Sequence, residues 1–117
     1  LSTFYFLLST FMSWIYLILA GLFEVGWAIG LKYTENFSRL WPTVWTAFAM
    51  AVSIVLLSLA MKTISVGTAY AVWTGIGAAG TALLGMYLFD EPKTVLRFFC
   101  LALIVSGVIG LHMVSRK

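Results

Sequence analysis

Glu24 is the residue most able to do chemistry in this chain. From Ser13 to Leu31 the only ionisable side chain besides it is Tyr16. The surrounding stretch, Gly21-Leu22-Phe23-Glu24-Val25-Gly26-Trp27-Ala28-Ile29-Gly30-Leu31-Lys32, is apolar and of helix length. An acidic side chain near a bilayer centre costs about 2.5–3.5 kcal/mol on insertion scales, so it persists mainly where it works. A carboxylate there can hold a cation or a proton, and can exchange one for the other. The competing reading is a structural one, a protonated carboxyl hydrogen-bonded between helices.

Trp27 follows Glu24 by three residues and so shares its helix face. Tyr70 and Trp73 repeat that spacing, Thr74 extends their face, and Ser53 falls mid-way along another apolar stretch. Glu24, Ser53 and Trp73 lie at comparable depths. The expected site has Glu24 accepting hydrogen bonds from Ser53 and an indole N–H, with aromatic rings as walls. Charge and cation–π attraction together suit a cation. Core packing remains the other reading for Trp27, Tyr70 and Trp73, and a bond to its own helix the other for Ser53. Trp14, Tyr16, Trp41 and Trp45 read as anchors at the water–lipid boundary, and His112 as an interfacial residue.

The elements that must position these groups are membrane helices. Of 117 residues, 62% are hydrophobic and 9% charged, whereas a soluble domain is about a quarter charged. The length indicates one domain. The net charge of +3 sits in short connections, so it bears on topology and not on nucleic acid. No motif suggests an enzyme, a phosphate loop or a metal cluster. No cofactor is expected. Cys100 is the single cysteine, which excludes an intrachain disulfide and reads as a small apolar residue.

Four spanning helices are expected, at about 13–31, 40–61, 67–89 and 95–114. Residues 1–12 read as an extension: either they precede a biological start at Met12, the favoured reading, or they form a helix in the interface. Pro42 suits the first turn of the second helix. The third carries Gly75-x-Gly77-x-x-Gly80. A dinucleotide site needs a preceding strand and a βαβ unit, so these glycines read as close packing or a kink. Asp90-Glu91-Pro92-Lys93 breaks the chain before the fourth helix, where Ala102, Ser106 and Gly110 recur every four residues. Such a face suits a dimer contact, with packing inside the chain as the alternative.

Loop charge is nearly balanced. With the N-terminus inside, Lys62, Arg116 and Lys117 lie on that side and Lys32, Arg39, Lys93 and Arg97 on the other. Three against four sets no strong orientation, and a chain without preference can insert both ways.

The Glu-Val-Gly-Trp run around Glu24 and the block Gly67-Thr68-Ala69-Tyr70-Ala71-Val72-Trp73-Thr74-Gly75-Ile76-Gly77 resemble the small multidrug resistance (SMR) transporters over residues 12–115. Trp27, Ser53 and the glycine-rich block make the chain similar to the guanidinium exporter branch; the branch for polyaromatic cations usually has Gly where Trp27 stands. The resemblance implies an all-α, multi-pass protein of the bacterial inner membrane, working as an antiparallel, dual-topology homodimer. It implies proton-coupled export of a small organic cation, with protons as the coupling ion. Glu24 would bind proton and substrate, Ser53 and Trp73 would support its carboxylate, Trp27 would line the site, and Tyr70 would contact substrate or link the two sites' access. His112 departs from the Lys that relatives often carry. The alternatives are export of quaternary ammonium or lipophilic drug cations, or a non-transporting partner subunit, for example one half of a heterodimer.

Overall fold

The computed structural model describes residues 2–114; Arg116 and Lys117, counted above for topology, lie outside them. These residues form four helices: α1 (Ser2–Tyr33), α2 (Leu40–Ala60), α3 (Val66–Leu88) and α4 (Val95–Val114). Each is long and apolar enough to cross a membrane, so this is an all-α integral membrane protein. The last three start or end within a residue of the expected bounds. The first differs, because residues 2–12 continue the same helix as 13–33, 32 residues against the roughly 20 that span a bilayer. Almost every position in that leading segment is exposed.

Packing begins at Ser13. The buried positions of α1 are Ser13, Leu17, Ala20, Gly21 and Val25, a three-and-four spacing that draws one stripe along a helix. α1 lies between α2 and α3, which barely touch each other, and α4 packs its backbone against α3 alone. The core, Leu17, Ala20, Leu57, Ala60, Ile64, Ala69 and Val72, joins the first three helices. Three of these seven are alanine, and most of the buried positions of α1, α2 and α3 taken together are Gly, Ala or Ser, as expected where lipid removes the hydrophobic drive between helices and close backbone approach must supply attraction. The large apolar side chains point outward: Trp41 and Trp45 are 70% and 68% exposed, at the end of α2 where anchors were expected. Trp14 and Tyr16 differ from that expectation, since both pack against the core.

The links are short and internally bonded. After α1, Glu35, Asn36 and Phe37 adopt positive φ (49°, 61° and 67°), and Thr34 bridges back by donating its hydroxyl to the Leu31 carbonyl at 2.7 Å. The α2–α3 link is tied to α1 by the Thr63 hydroxyl, which donates to Ser13 Oγ. Beyond α3, Arg97 pairs with Glu91 at 2.7 Å, and Lys32 sits over the Phe89 ring at 4.7 Å.

Candidate functional site

Ser53 is fully buried on α2 and joins three helices. Its hydroxyl donates to the Ala20 carbonyl on α1 at 2.6 Å, and its oxygen accepts the Trp73 indole N–H from α3 at 2.9 Å. The expected bonds to Glu24 are therefore not the ones formed. A hydroxyl has one proton to give, and here the Ala20 carbonyl takes it; the indole proton goes to Ser53. Nor does Ser53 bond its own helix. Ala20 lies four residues before Glu24, so its carbonyl is also the helical acceptor for the Glu24 amide. Ser53 thus meets α1 one turn from the carboxylate.

One turn further along both helices, Glu24 meets Gly77. A Cβ built on Gly77 would overlap Oε1, Cδ and Cγ of Glu24. The same seam pairs Gly21 with Ile76, whose Cγ2 lies 2.5 Å from where a Cβ would stand, and Gly80 with Val25 at an equal distance. Gly21 with Ile76, Glu24 with Gly77 and Val25 with Gly80 are successive steps of α1 and α3 running side by side. Two of the three expected glycines, Gly77 and Gly80, face α1, while Gly75 receives Val108 of α4. The series serves close packing, one of the two uses expected of it.

The carboxylate held on this seam has an unusual setting. Oε1 of Glu24 is enclosed, with no hydrogen-bond partner, and the Trp27 indole nitrogen is likewise enclosed and unpartnered. A buried polar atom left unpaired costs about 1–3 kcal/mol, and more for a charge. An enclosed carboxylate oxygen can be satisfied by a proton of its own or by an arriving cation with N–H donors. Trp27 is half-buried and follows along the Glu24 face. Tyr70 is 56% exposed and packs its ring on Trp73 with centroids 5.5 Å apart. The structure thus brings Ser53, Trp73 and Tyr70 into one connected group, with Glu24 and Trp27 alongside on α1. Among the described residues no cluster of metal-ligating side chains occurs.

Sequence reasoning missed the Ala20 carbonyl and the role of Gly77. The first leaves no trace in residue type, since any residue supplies a carbonyl. The second had a signal, a glycine series at helical spacing, but not its partner. His112 was read as interfacial; its ring stands edge-on to Trp14 with centroids 4.4 Å apart, away from Glu24.

A family profile described as Small Multidrug Resistance protein matches residues 12–104. The chain belongs to this family. Among its relatives, a guanidinium exporter of Yersinia pestis is 57% identical over 104 residues, covering 89% of this chain and 100% of the relative. The guanidinium exporter of Escherichia coli K12 is 60% identical over 102 residues, or 87% of this chain and 97% of that protein. That of Salmonella typhimurium is 58% identical over the same length and shares. Every residue of the Glu24 site lies within the span matched to the SMR family.

Proposed function

We propose that the protein is a proton-coupled antiporter exporting guanidinium-type small cations across the bacterial inner membrane. The observation that carries the reading is the enclosed, unpartnered Oε1 of Glu24. The names of the SMR relatives, similar over nearly all of the chain, supply the substrate class. A guanidinium ion is planar and offers paired N–H donors that match a carboxylate. Proton and cation satisfy the same oxygens, so binding one excludes the other. Protons arriving from one side displace the cation, and the emptied carboxylate rebinds cation from the opposite side.

In this reading Glu24 binds substrate and proton, Trp27 lines the site, Ser53 and Trp73 fix the helix turn that carries Glu24, and Tyr70 contacts substrate. Two inverted subunits share the site, each contributing Glu24, and their carboxylates titrate as a pair. Inversion supplies the two alternating states that other transporters take from inverted repeats. The fourth helix makes the dimer contact through Ala102, Ser106 and Gly110. Two facts support that role: α4 buries no residue within the chain, and a Cβ on Gly110 would meet nothing within 4 Å.

The test is purified protein in proteoliposomes, with proton flux driven by guanidinium or by a large aromatic cation. Guanidinium should drive flux, the aromatic cation should not, and Glu24→Gln should abolish it while leaving the fold intact. Undiminished guanidinium-driven flux in that variant sinks the proposal.

A further inference from the structure

A second carboxylate repeats the Glu24 arrangement further along the α1–α3 seam. A Cβ built on Gly85 would overlap Oε1 and Cδ of Glu91, so this carboxylate also lies against bare α3 backbone. Gly85 follows Gly77 by eight residues, as Lys32 follows Glu24, which puts this level about 12 Å from Glu24 by helical rise. A cavity of about 350 Å³ runs inward from it. Lys32, Phe89, Glu91 and Arg97 line its outer end, and the small side chains of Ala28 and Ala78 carry it to within a turn of Glu24 and Gly77.

The outer end holds the two features that suit a cation, a carboxylate and an aromatic face. Both are covered by the chain's own cations. The Arg97 guanidinium donates to Glu91 Oε1 at 2.7 Å, and the Lys32 ammonium stands 4.7 Å from the centre of the Phe89 ring. The cover is loosely fastened. The side chains of Arg97 and Glu91 are 32% and 38% exposed, and an ion pair that open to water contributes little to stability. The link is also held without it: the Phe89 amide donates to the Gly85 carbonyl at 2.9 Å, and Thr94 Oγ1 accepts the Arg97 amide at 3.1 Å at the start of α4.

The group that Glu91 holds in Arg97 is the group of which the proposed substrate consists. We propose that Glu91 is an outer binding site for guanidinium-type cations, where an arriving ion takes the place of Arg97 before passing along the cavity to Glu24. The identity of this ligand rests on the export reading. A carboxylate already placed to receive one planar guanidinium receives another without rebuilding. The displaced Arg97 stays close as a like charge, which keeps the outer site weak, and a site on a path must release its ion as readily as it takes it.

The experiment measures proton flux in proteoliposomes of the full chain as a function of guanidinium concentration. Glu91→Gln should raise KM about tenfold, the low end for charge lining a cleft, with kcat unchanged because Glu24 is intact. Arg97→Gln uncovers the carboxylate and should lower KM, a result that stands by itself if Glu91→Gln does not insert. Asp90→Asn is the control. It removes a charge one residue away, on a fully exposed side chain, at a φ of 54° that asparagine accepts, and its KM should equal the parent's. KM moving the same way in Glu91→Gln and Arg97→Gln overturns the proposal, because the ion pair then only holds the link. An unaltered KM in either variant overturns it too, as does an effect of Asp90→Asn equal to that of Glu91→Gln, which is attraction to loop charge at large. A parent without guanidinium-driven flux refutes the export reading and takes the outer site with it; the other failures strike the outer site alone.

Discussion

The Glu24 carboxylate rests on the bare backbone of Gly77, closely enough that a methyl group at residue 77 would occupy the same space. The atoms in the way are the far end of a flexible side chain, so Gly77→Ala should leave the fold standing and displace the carboxylate. An off-rotamer side chain costs about 0.5–1.5 kcal/mol, which predicts guanidinium affinity lowered up to about tenfold with little change in thermal stability. Gly80→Ala is the contrast, since its methyl would meet Val25 Cγ2 at 2.5 Å. That variant should lose stability first. Isothermal titration and thermal unfolding of both, in the same detergent, check the pair; equal affinity for Gly77→Ala and unaltered protein refutes the positioning role.

Ser53→Ala removes a donor to Ala20 and the acceptor for the Trp73 indole. The half-buried indole N–H is then left without its protein partner, at a cost of about 1 kcal/mol, the low end for an unpaired buried donor. Stability should fall by that amount, and substrate affinity should fall less than in Glu24→Gln, because Ser53 acts through the helix turn and not on the carboxylate. Denaturant unfolding in mixed micelles measures the first effect. A variant as stable as the parent removes Ser53 from the three-helix junction.

Gly110→Leu tests the fourth helix. A Cβ there meets nothing within 4 Å, so the secondary structure of α4 and the contacts of the other helices should be unchanged. With Ala102, Ser106 and Gly110 as the dimer face, the bulky residue should shift purified protein from dimer to monomer in size-exclusion chromatography. A dimer of unaltered strength excludes that face.

Orientation follows from the near-balanced loop charges. Extra basic residues in one set of loops should lock the insertion direction. Each locked form should be inactive alone, and co-expression of two oppositely locked forms should restore resistance to guanidinium. Full resistance from a single form of verified one-way topology rules out the inverted dimer.

The spans and Glu24 were legible because both are matters of composition: four apolar runs of bilayer length and one carboxylate with no counterpart in its run. The depth match of Ser53 and Trp73 was readable by counting residues along helices, and the structure joins those two directly. What Ser53 bonds was not readable. Its proton goes to whichever acceptor the α1–α2 register brings nearest, and that acceptor is a main-chain carbonyl common to all residue types. The glycines of α3 announced close approach without naming the neighbour; that Gly77 faces a carboxylate and Gly75 a valine depends on how α3 is rotated between α1 and α4. The continuous helix through residues 2–12 was obscured by its length, since a run longer than a bilayer invites division.

The lack of any buried residue on α4 bears on which substitutions the chain tolerates. Along α1, α2 and α3 a changed side chain is judged first by its neighbours in the same polypeptide, as Gly21 is by Ile76. On the outward face of α4 no such judge exists. Exchanging one apolar residue for another there leaves the chain's own packing as it was, and is felt only through whatever lies outside it. The drift of this helix over evolutionary time should therefore follow the host membrane and its other proteins, while the first three helices drift only together.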